Sequence, residues 1–280
     1  MKIAVTGASG FIGRHVLSEL AKRSIEIVAA TRNAAKLAAW RDRAQIIEMD
    51  IDNTSANKLA CLARCDALIH LAWDGLPNYN SRHHFETELP NQYEFLKKLI
   101  ELGLPALLVA GTCFEYGLQS GELSENRVGS PANPYGFAKD CLRRQLEFLC
   151  RDYKFAMIWA RLFYVYGAGQ PMTTLYSQLT AAVSRGDKGF DMSGGEQLRD
   201  YLPIAEVARL IVELARRRVS IGVVNVCAGQ PISVRRLVEG WLKENAYDIE
   251  LNLGRFPYPD YEAMAFWGGR SKLDSVLKSN

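Results

Sequence analysis

Short apolar, β-rich runs alternate with longer stretches of helical period through the first 160 or so residues of the chain. The runs are Ile3 to Thr6, Ile25 to Thr31, Ala44 to Met49, Ala67 to Leu71, Leu107 to Ala110 and Phe155 to Arg161. Between them lie helical patterns near 11–23, 34–42, 54–63, 86–102 and 134–153. This βα alternation predicts an α/β fold, a doubly wound parallel sheet that binds ligands at the carboxyl ends of its strands.

After Arg161 the alternation loosens. Gly167 to Pro171 reads as a turn, Gly186 to Gly195 is glycine-rich, and Pro257 to Gly269 is an aromatic loop too long for a tight connection. A helix from about Ile204 to Arg216 and a strand at Val223 to Val226 return to the main sheet. The pattern predicts a main domain of residues 1–163 and 196–226. A small discontinuous C-terminal domain takes 164–195 and 227–280.

With 280 residues, 48% of them hydrophobic and 23% charged, the chain is long enough to bury its own core and fold alone. A net charge of +3 is too mild for a nucleic-acid footprint, and Arg216-Arg217-Arg218 most simply ends a helix, where cations suit the dipole. No apolar run is long enough to span a bilayer, and the first residues already read as a strand rather than as a charged leader. The expectation is a cytoplasmic protein with no membrane partner.

Its six cysteines (Cys61, Cys65, Cys113, Cys141, Cys150, Cys227) form no Cys-x-x-Cys pair and read as reduced thiols. Cys61 and Cys65, one helical turn apart, read as half-buried helix positions. The pair His83-His84 reads as an exposed loop, since no carboxylate or cysteine stands nearby in sequence to complete a metal shell. No metal site is expected.

Two motifs carry the chemistry. Thr6-Gly7-Ala8-Ser9-Gly10-Phe11-Ile12-Gly13 follows the first strand and opens a helix marked by Ile12, Val16, Leu17 and Leu20. Glycines at that bend allow a tight turn, close approach of backbone N–H groups to a pyrophosphate, and close helix packing. Far downstream, Tyr135 and Lys139 stand four residues apart on one helix face. A free phenol titrates near ~10, and a neighbouring ammonium together with an oxidised nicotinamide is expected to pull it down.

Together these motifs resemble the extended short-chain dehydrogenase/reductase family, which comprises sugar-nucleotide epimerases, dehydratases and ketoreductases. The resemblance covers almost the whole chain and implies a Rossmann-type dinucleotide domain, a smaller substrate domain and a homodimer packed through helices 86–102 and 134–153. It places the cofactor on Gly7, Gly10, Phe11, Ile12 and Gly13. Further cofactor contacts are implied at Asp50 and Ile51 after the third strand, and at Leu71 and Ala72 after the fourth. Ala110-Gly-Thr112-Cys-Phe-Glu-Tyr116-Gly117 is similar to the family's Ser-Ser-x-x-x-Tyr-Gly strand end, which puts Thr112 with Tyr135 and Lys139 as the catalytic set. In the reducing direction Tyr135 delivers a proton to the carbonyl oxygen, Thr112 hydrogen-bonds to it, and Lys139 also holds the nicotinamide ribose. Arg161 to Gly167 and Gly194 to Tyr201 resemble two substrate-side motifs, the second supplying Arg199 for a pyrophosphate. His70 reads as a satisfied strand-end histidine.

The family's dehydratases carry an Asp and a Glu after the catalytic Thr, where this chain has Cys113 and Phe114. Dehydration is therefore not expected. Where an NAD-retaining epimerase usually has an acid at the end of the second strand, this chain has Ala30-Thr31-Arg32-Asn33. Arg32 favours NADP(H), with NAD(H) also open, and an exchanging cofactor points to a reductase. Tyr164 replaces the Asn expected to hold a substrate phosphate.

Trp73 and the segment Phe256 to Gly268 most resemble 4-ketoreductases acting on nucleotide-linked 4-keto-6-deoxyhexoses, those of the 6-deoxytalose type in particular. The candidate substrate residues are Trp73, Cys113, Tyr164 and Arg199. The alternatives are a sugar-nucleotide 4-epimerase and a non-catalytic, dinucleotide-sensing or scaffold relative; members of the last class typically lose the Tyr or the Lys.

Overall fold

A strand apolar on successive positions needs cover on both of its faces, and each crossover helix of this chain supplies it on one side or the other. The computed structural model describes residues 1–258 and 262–279. Seven strands form the main sheet: β1 (Lys2–Thr6), β2 (Glu26–Thr31), β3 (Gln45–Glu48), β4 (Ala67–His70), β5 (Ala106–Thr112), β6 (Ala156–Leu162) and β7 (Gly222–Val226). Their order is β7-β6-β5-β4-β1-β2-β3 and every neighbouring pair is parallel. The helices are α1 (Phe11–Ala21), α2 (Ala56–Ala63), α3 (Leu89–Glu101), α4 (Pro134–Asp152), α5 (Leu175–Arg185), α6 (Ile204–Arg217), α7 (Val234–Asn245) and α8 (Ser271–Lys278).

Side chains alternate across the sheet and are apolar on both sides. Ile3, Val5, Ile69, Leu108 and Ile158 pack with residues of α1, α6 and α8, whereas Ala4, Leu68, Leu107, Val109 and Met157 pack with those of α2, α3 and α4. Helix α6 shows why its residues cover a sheet: Val207, Ala208, Leu210, Ile211 and Leu214 are buried, while Glu206 and Arg209 pair with each other on its polar side. The chain winds outward from β1 through β2 to β3, then returns to β4 on the other side. That reversal opens a crevice at the carboxyl ends of β1 and β4, where the register sets Thr6 beside His70.

The predicted parallel strands form with ends shifted by a few residues. The stretch expected as a helix at 34–42 is instead a 3₁₀ segment, Ala34–Trp40, broken at Leu37 (φ −115°). Its run of alanines offers no apolar stripe, and Leu37 is its single buried residue. Residues 84–88 make one π turn before α3, which carries Pro90 at its start. Helix α5 is absent from the sequence expectation; its face joins Phe190 and the α7 residues Val238 and Trp241 in a second apolar cluster. Helix α8 turns back to the main sheet, where Leu273 is fully buried. Among the described residues no helix is long and apolar enough to cross a membrane, and all six cysteines are free. Cys61 is half-buried in α2, whereas Cys65 is buried just beyond that helix's end.

Gly13 sets how closely α1 approaches the β1 turn: a Cβ there would stand 2.2 Å from the Gly7 carbonyl oxygen and 2.8 Å from Ala8. Because these contacts are backbone, they cannot rotate away. Gly13→Ala is expected to destabilise the fold by about 1–3 kcal/mol through overpacking, read as a lowered denaturant midpoint. An unchanged midpoint would show that α1 does not need this approach.

Candidate active site

The groove begins where β1 ends. Gly7 adopts φ +66°, and a Cβ there would lie 2.8 Å from the Ala72 nitrogen, so glycine is what lets the first turn touch the segment after β4. Helix α1 has no side-chain cap and no acid in its first turn, which leaves its leading amides to an external acceptor. A groove of about 400 Å³ runs along these strand ends, and Gly7, Gly10, Arg32, Asp50, Ile51, Leu71, Ala72 and Trp73 all line it. Phe11 and Ile12 pack half-buried against the sheet core, and Gly13 is buried at the turn. A cradle of backbone that side chains cannot enter, ending at an uncapped helix, fits a dinucleotide.

Beneath the groove lies a chain of buried polar groups. Thr6 Oγ1 and His70 Nδ1 are 2.8 Å apart, His70 Nε2 and Gln92 Oε1 are 2.8 Å apart, and Gln92 Nε2 donates to Glu88 at 2.9 Å. As the Gln92 amide nitrogen faces Glu88, its oxygen accepts from His70, so the imidazole carries its proton on Nε2 and accepts from Thr6. Burial, with Lys139 adding to it, pushes the His70 pKa down to about 3 and keeps the ring neutral. His70 is the satisfied strand-end histidine expected from the sequence.

Thr112, Tyr135 and Lys139 meet just beyond the groove and are all buried. Thr112 closes β5, while Asn133 caps α4 by accepting from the Gly136 amide, which starts the helix in time for Tyr135 and Lys139 to share its sheet-facing side. Lys139 Nζ donates to the Ala110 carbonyl at 3.0 Å and sits 3.8 Å from the centre of the Trp73 ring. Burial pulls its pKa down to about 7, against the opposing pull of Glu115 and Glu88. The Tyr135 phenol is likewise pushed up, by burial first and then by Tyr79 and Glu115, with Thr112 opposing. In the chain by itself, desolvation thus outweighs the depression of the phenol expected from Lys139. Trp73, Tyr79, His84 and Phe114 ring Tyr135 at centroid distances of 5.3–6.4 Å.

Glu115 is the residue the sequence reading missed. Fully buried, its carboxylate accepts from the Thr112 amide (2.8 Å), Trp159 Nε1 (2.9 Å) and Arg161 Nε (2.6 Å). The signal was available, since Thr112-x-x-Glu115 is a capping box.

The substrate candidates do not converge on the groove as a set. Trp73 lines it and covers Lys139. Cys113 is turned into an apolar cluster with Tyr116, Phe163 and Phe266, and burial raises its thiol pKa far above the usual range. Arg199 is buried and engaged within the protein: Glu262 accepts from its Nε (3.2 Å) and Nη2 (2.8 Å), and the Leu198 and Met264 carbonyls accept from Nη1. Tyr164 donates to the same Glu262 at 2.5 Å. Of the aromatic segment Phe256 to Gly268, Pro259, Asp260 and Tyr261 lie outside the described residues.

The histidine pair departs from the exposed loop expected. His84 is fully buried, accepts from Trp73 Nε1 at 3.1 Å and donates from Nε2 to the Asn78 carbonyl. Carboxylates also stand closer than the sequence suggests: Asp74, His83 and Glu88 each place one ligand atom within 4.8 Å of the others. Both acids are engaged, Glu88 by Gln92 and the Asp74 amide, and Asp74 by Arg32 at 3.1 Å. The folding of the segment after β4 against the π turn makes these contacts, which no local spacing shows.

Since the Lys139 pKa is depressed on folding, the unfolded chain binds more protons between about pH 7 and 10. Lys139 therefore contributes stability that rises with pH from about 7 upward, opposed above about pH 8 by the thiols of Cys65, Cys113 and Cys227, whose pKa values burial raises. Lys139→Met should flatten that rise, as read from denaturant midpoints of both proteins across the window. Parallel midpoint curves would show that Lys139 is not desolvated.

Comparison with known proteins agrees with this geometry. Residues 3–227 match the model of the NAD dependent epimerase/dehydratase family. The chain is 30% identical over 272 residues to dTDP-6-deoxy-L-talose 4-dehydrogenase (NAD(+)) of Aggregatibacter actinomycetemcomitans, covering 96% of this chain and 100% of that protein. Among solved structures it is similar to MoeE5 in complex with UDP-glucuronic acid and NAD (27% identity, TM-score 0.82, 99% of this chain and 92% of the other). UDP-glucuronic acid 4-epimerase from Bacillus cereus, in complex with UDP-glucuronic acid and NAD, superimposes with TM-score 0.84 at 24% identity over 100% of this chain and 94% of its own. The chain belongs to the NAD-dependent epimerase/dehydratase family.

Proposed function

We propose that the protein is an NAD(P)-dependent oxidoreductase that reduces the 4-keto group of a nucleoside-diphosphate 4-keto-6-deoxyhexose. The carrying observation is the Thr112, Tyr135 and Lys139 set, buried together at the end of the groove, with Cys113 and Phe114 rather than acids after Thr112. The similarity to a 6-deoxytalose 4-dehydrogenase supports the same substrate class. The groove residues Gly7, Gly10, Arg32, Asp50, Ile51, Leu71 and Ala72 would hold the dinucleotide, with Gly13 letting α1 approach the turn beneath it. Arg32 stands at the end of β2, the end of such a groove where NAD and NADP differ. When bound, the nicotinamide supplies the hydride for the carbonyl carbon.

The chain's own residues handle the oxygen. Tyr135 donates its phenolic proton to it, and the Thr112 hydroxyl donates a hydrogen bond that holds the carbonyl in reach. Lys139 steadies the phenolate that Tyr135 leaves behind. The aromatic collar of half-buried Trp73 and Tyr79 with buried His84 shields this transfer from water. Arg199 and Tyr164 would reach a substrate phosphate only by sharing or releasing Glu262. We also propose a homodimer through α3 and α4, because Phe137 and Phe148 on α4 are about half exposed or more, with Phe85 packed edge-on to Phe137.

The purified protein is expected to consume NADH or NADPH with such a 4-ketosugar. Tyr135→Phe should lower kcat by about 10²–10⁴-fold while dinucleotide affinity holds. Interconversion of UDP-glucose and UDP-galactose, with no oxidation of either nucleotide by any 4-ketosugar, would instead identify a 4-epimerase. Light scattering at micromolar concentration should give twice the chain mass; a monomer would contradict the α3–α4 interface.

A further inference from the structure

The loops after β2 and β4 flank the end of β1, two strand spacings or about 10 Å apart. Only a long side chain crosses such a gap. Arg32, from the first loop, reaches across and donates through Nη2 to Asp74 Oδ1, in the second, at 3.1 Å. Both side chains line the groove. Asp74 is itself held in place, its backbone N–H donating to the buried Glu88 at 3.0 Å.

Three backbone donors around Arg32 are engaged as well, while the Lys36 side chain also lines the groove. The Asn33 amide donates to Thr31 Oγ1 (3.2 Å), the Ala34 amide to Glu48 Oε2 (2.7 Å) and the Ala35 amide to Asn33 Oδ1 (2.9 Å). An anion arriving at this turn therefore meets amides already committed and two carboxylates, Glu48 and Asp74, beside the guanidinium. A ribose hydroxyl, neutral and able to donate, meets acceptors. This is the reverse of what a 2′-phosphate needs.

We propose that Asp74 is a specificity-determining residue: by holding the Arg32 guanidinium at the adenosine-ribose end, away from a 2′-phosphate, it makes the groove select NAD(H) over NADP(H). This overturns the preference drawn from Arg32 alone, and it rests on the reading of the groove as a dinucleotide site. Arg32 is the instrument through which Asp74 acts, so the effect of losing Asp74 must vanish when Arg32 is also lost.

Asp74 is exposed, and its bond to Glu88 is through the backbone, so Asp74→Asn keeps that anchor. The experiment is calorimetric titration of NADH and NADPH into the wild type, Asp74→Asn, Arg32→Ala and the double variant. Expected are tighter NADH than NADPH binding by the wild type and a gain in NADPH affinity of about threefold to tenfold in Asp74→Asn. NADH affinity should stay within about twofold, and the NADPH gain should be absent in the double variant. Wild-type preference for NADPH overturns the proposal, as does an inert Asp74→Asn beside an Arg32→Ala that weakens NADPH. Folded wild-type protein that binds neither nucleotide is a separate result, and it overturns the dinucleotide reading itself.

Discussion

The active edge of this protein hangs on one carboxylate that water does not reach. Glu115 gathers the Thr112 amide, the Trp159 indole and the Arg161 guanidinium, and so ties the ends of β5 and β6 to the turn that carries the candidate catalytic threonine. Removing one member of such a buried charged pair leaves the other desolvated and unpaired, at a cost of about 3–5 kcal/mol. The same turn fixes the start of α4: Gly136 approaches so closely that a Cβ would stand 2.6 Å from the Phe114 carbonyl oxygen. Thr112 and Tyr135 are thus set against each other by a strand end and a helix start that share one rigid corner.

That corner is useful only because of where the sheet divides. With all seven strands parallel, every carboxyl end lies along one edge, and the reversal of winding between β1 and β4 opens that edge to a long ligand. The groove's floor is sealed by a buried hydrogen-bonded chain of Thr6, the neutral imidazole of His70, Gln92 and Glu88. Its rim, by contrast, is charged and exposed, and there Arg32 meets Asp74. The buried network below resists rearrangement, whereas the exposed pair above exchanges partners readily.

Helix packing against both faces also explains the desolvation at the far end. Trp73 lies flat over Lys139, and Tyr135 is enclosed by aromatic rings. Burial then governs both ionisations, lowering the ammonium and raising the phenol. The aromatic face over Lys139 works the other way, because a ring quadrupole favours the charged ammonium.

The sequence alone determined the parts that depend on short-range periodicity and on glycine. Consecutive apolar runs marked the parallel strands, and Gly7, Gly10 and Gly13 marked the cradle, because no other residue permits such close backbone approach. Tyr135 and Lys139 were legible as neighbours from helical spacing. Tertiary structure decided what faces them: the burial that sets their pKa values, the commitment of Arg199 to Glu262, the turning of Cys113 into an apolar cluster, and the capture of Arg32 by Asp74. The partners in these contacts stand 42–63 positions apart where they are ion pairs. A side chain's charge can be read from its identity, but its partner depends on which strand ends the sheet brings side by side.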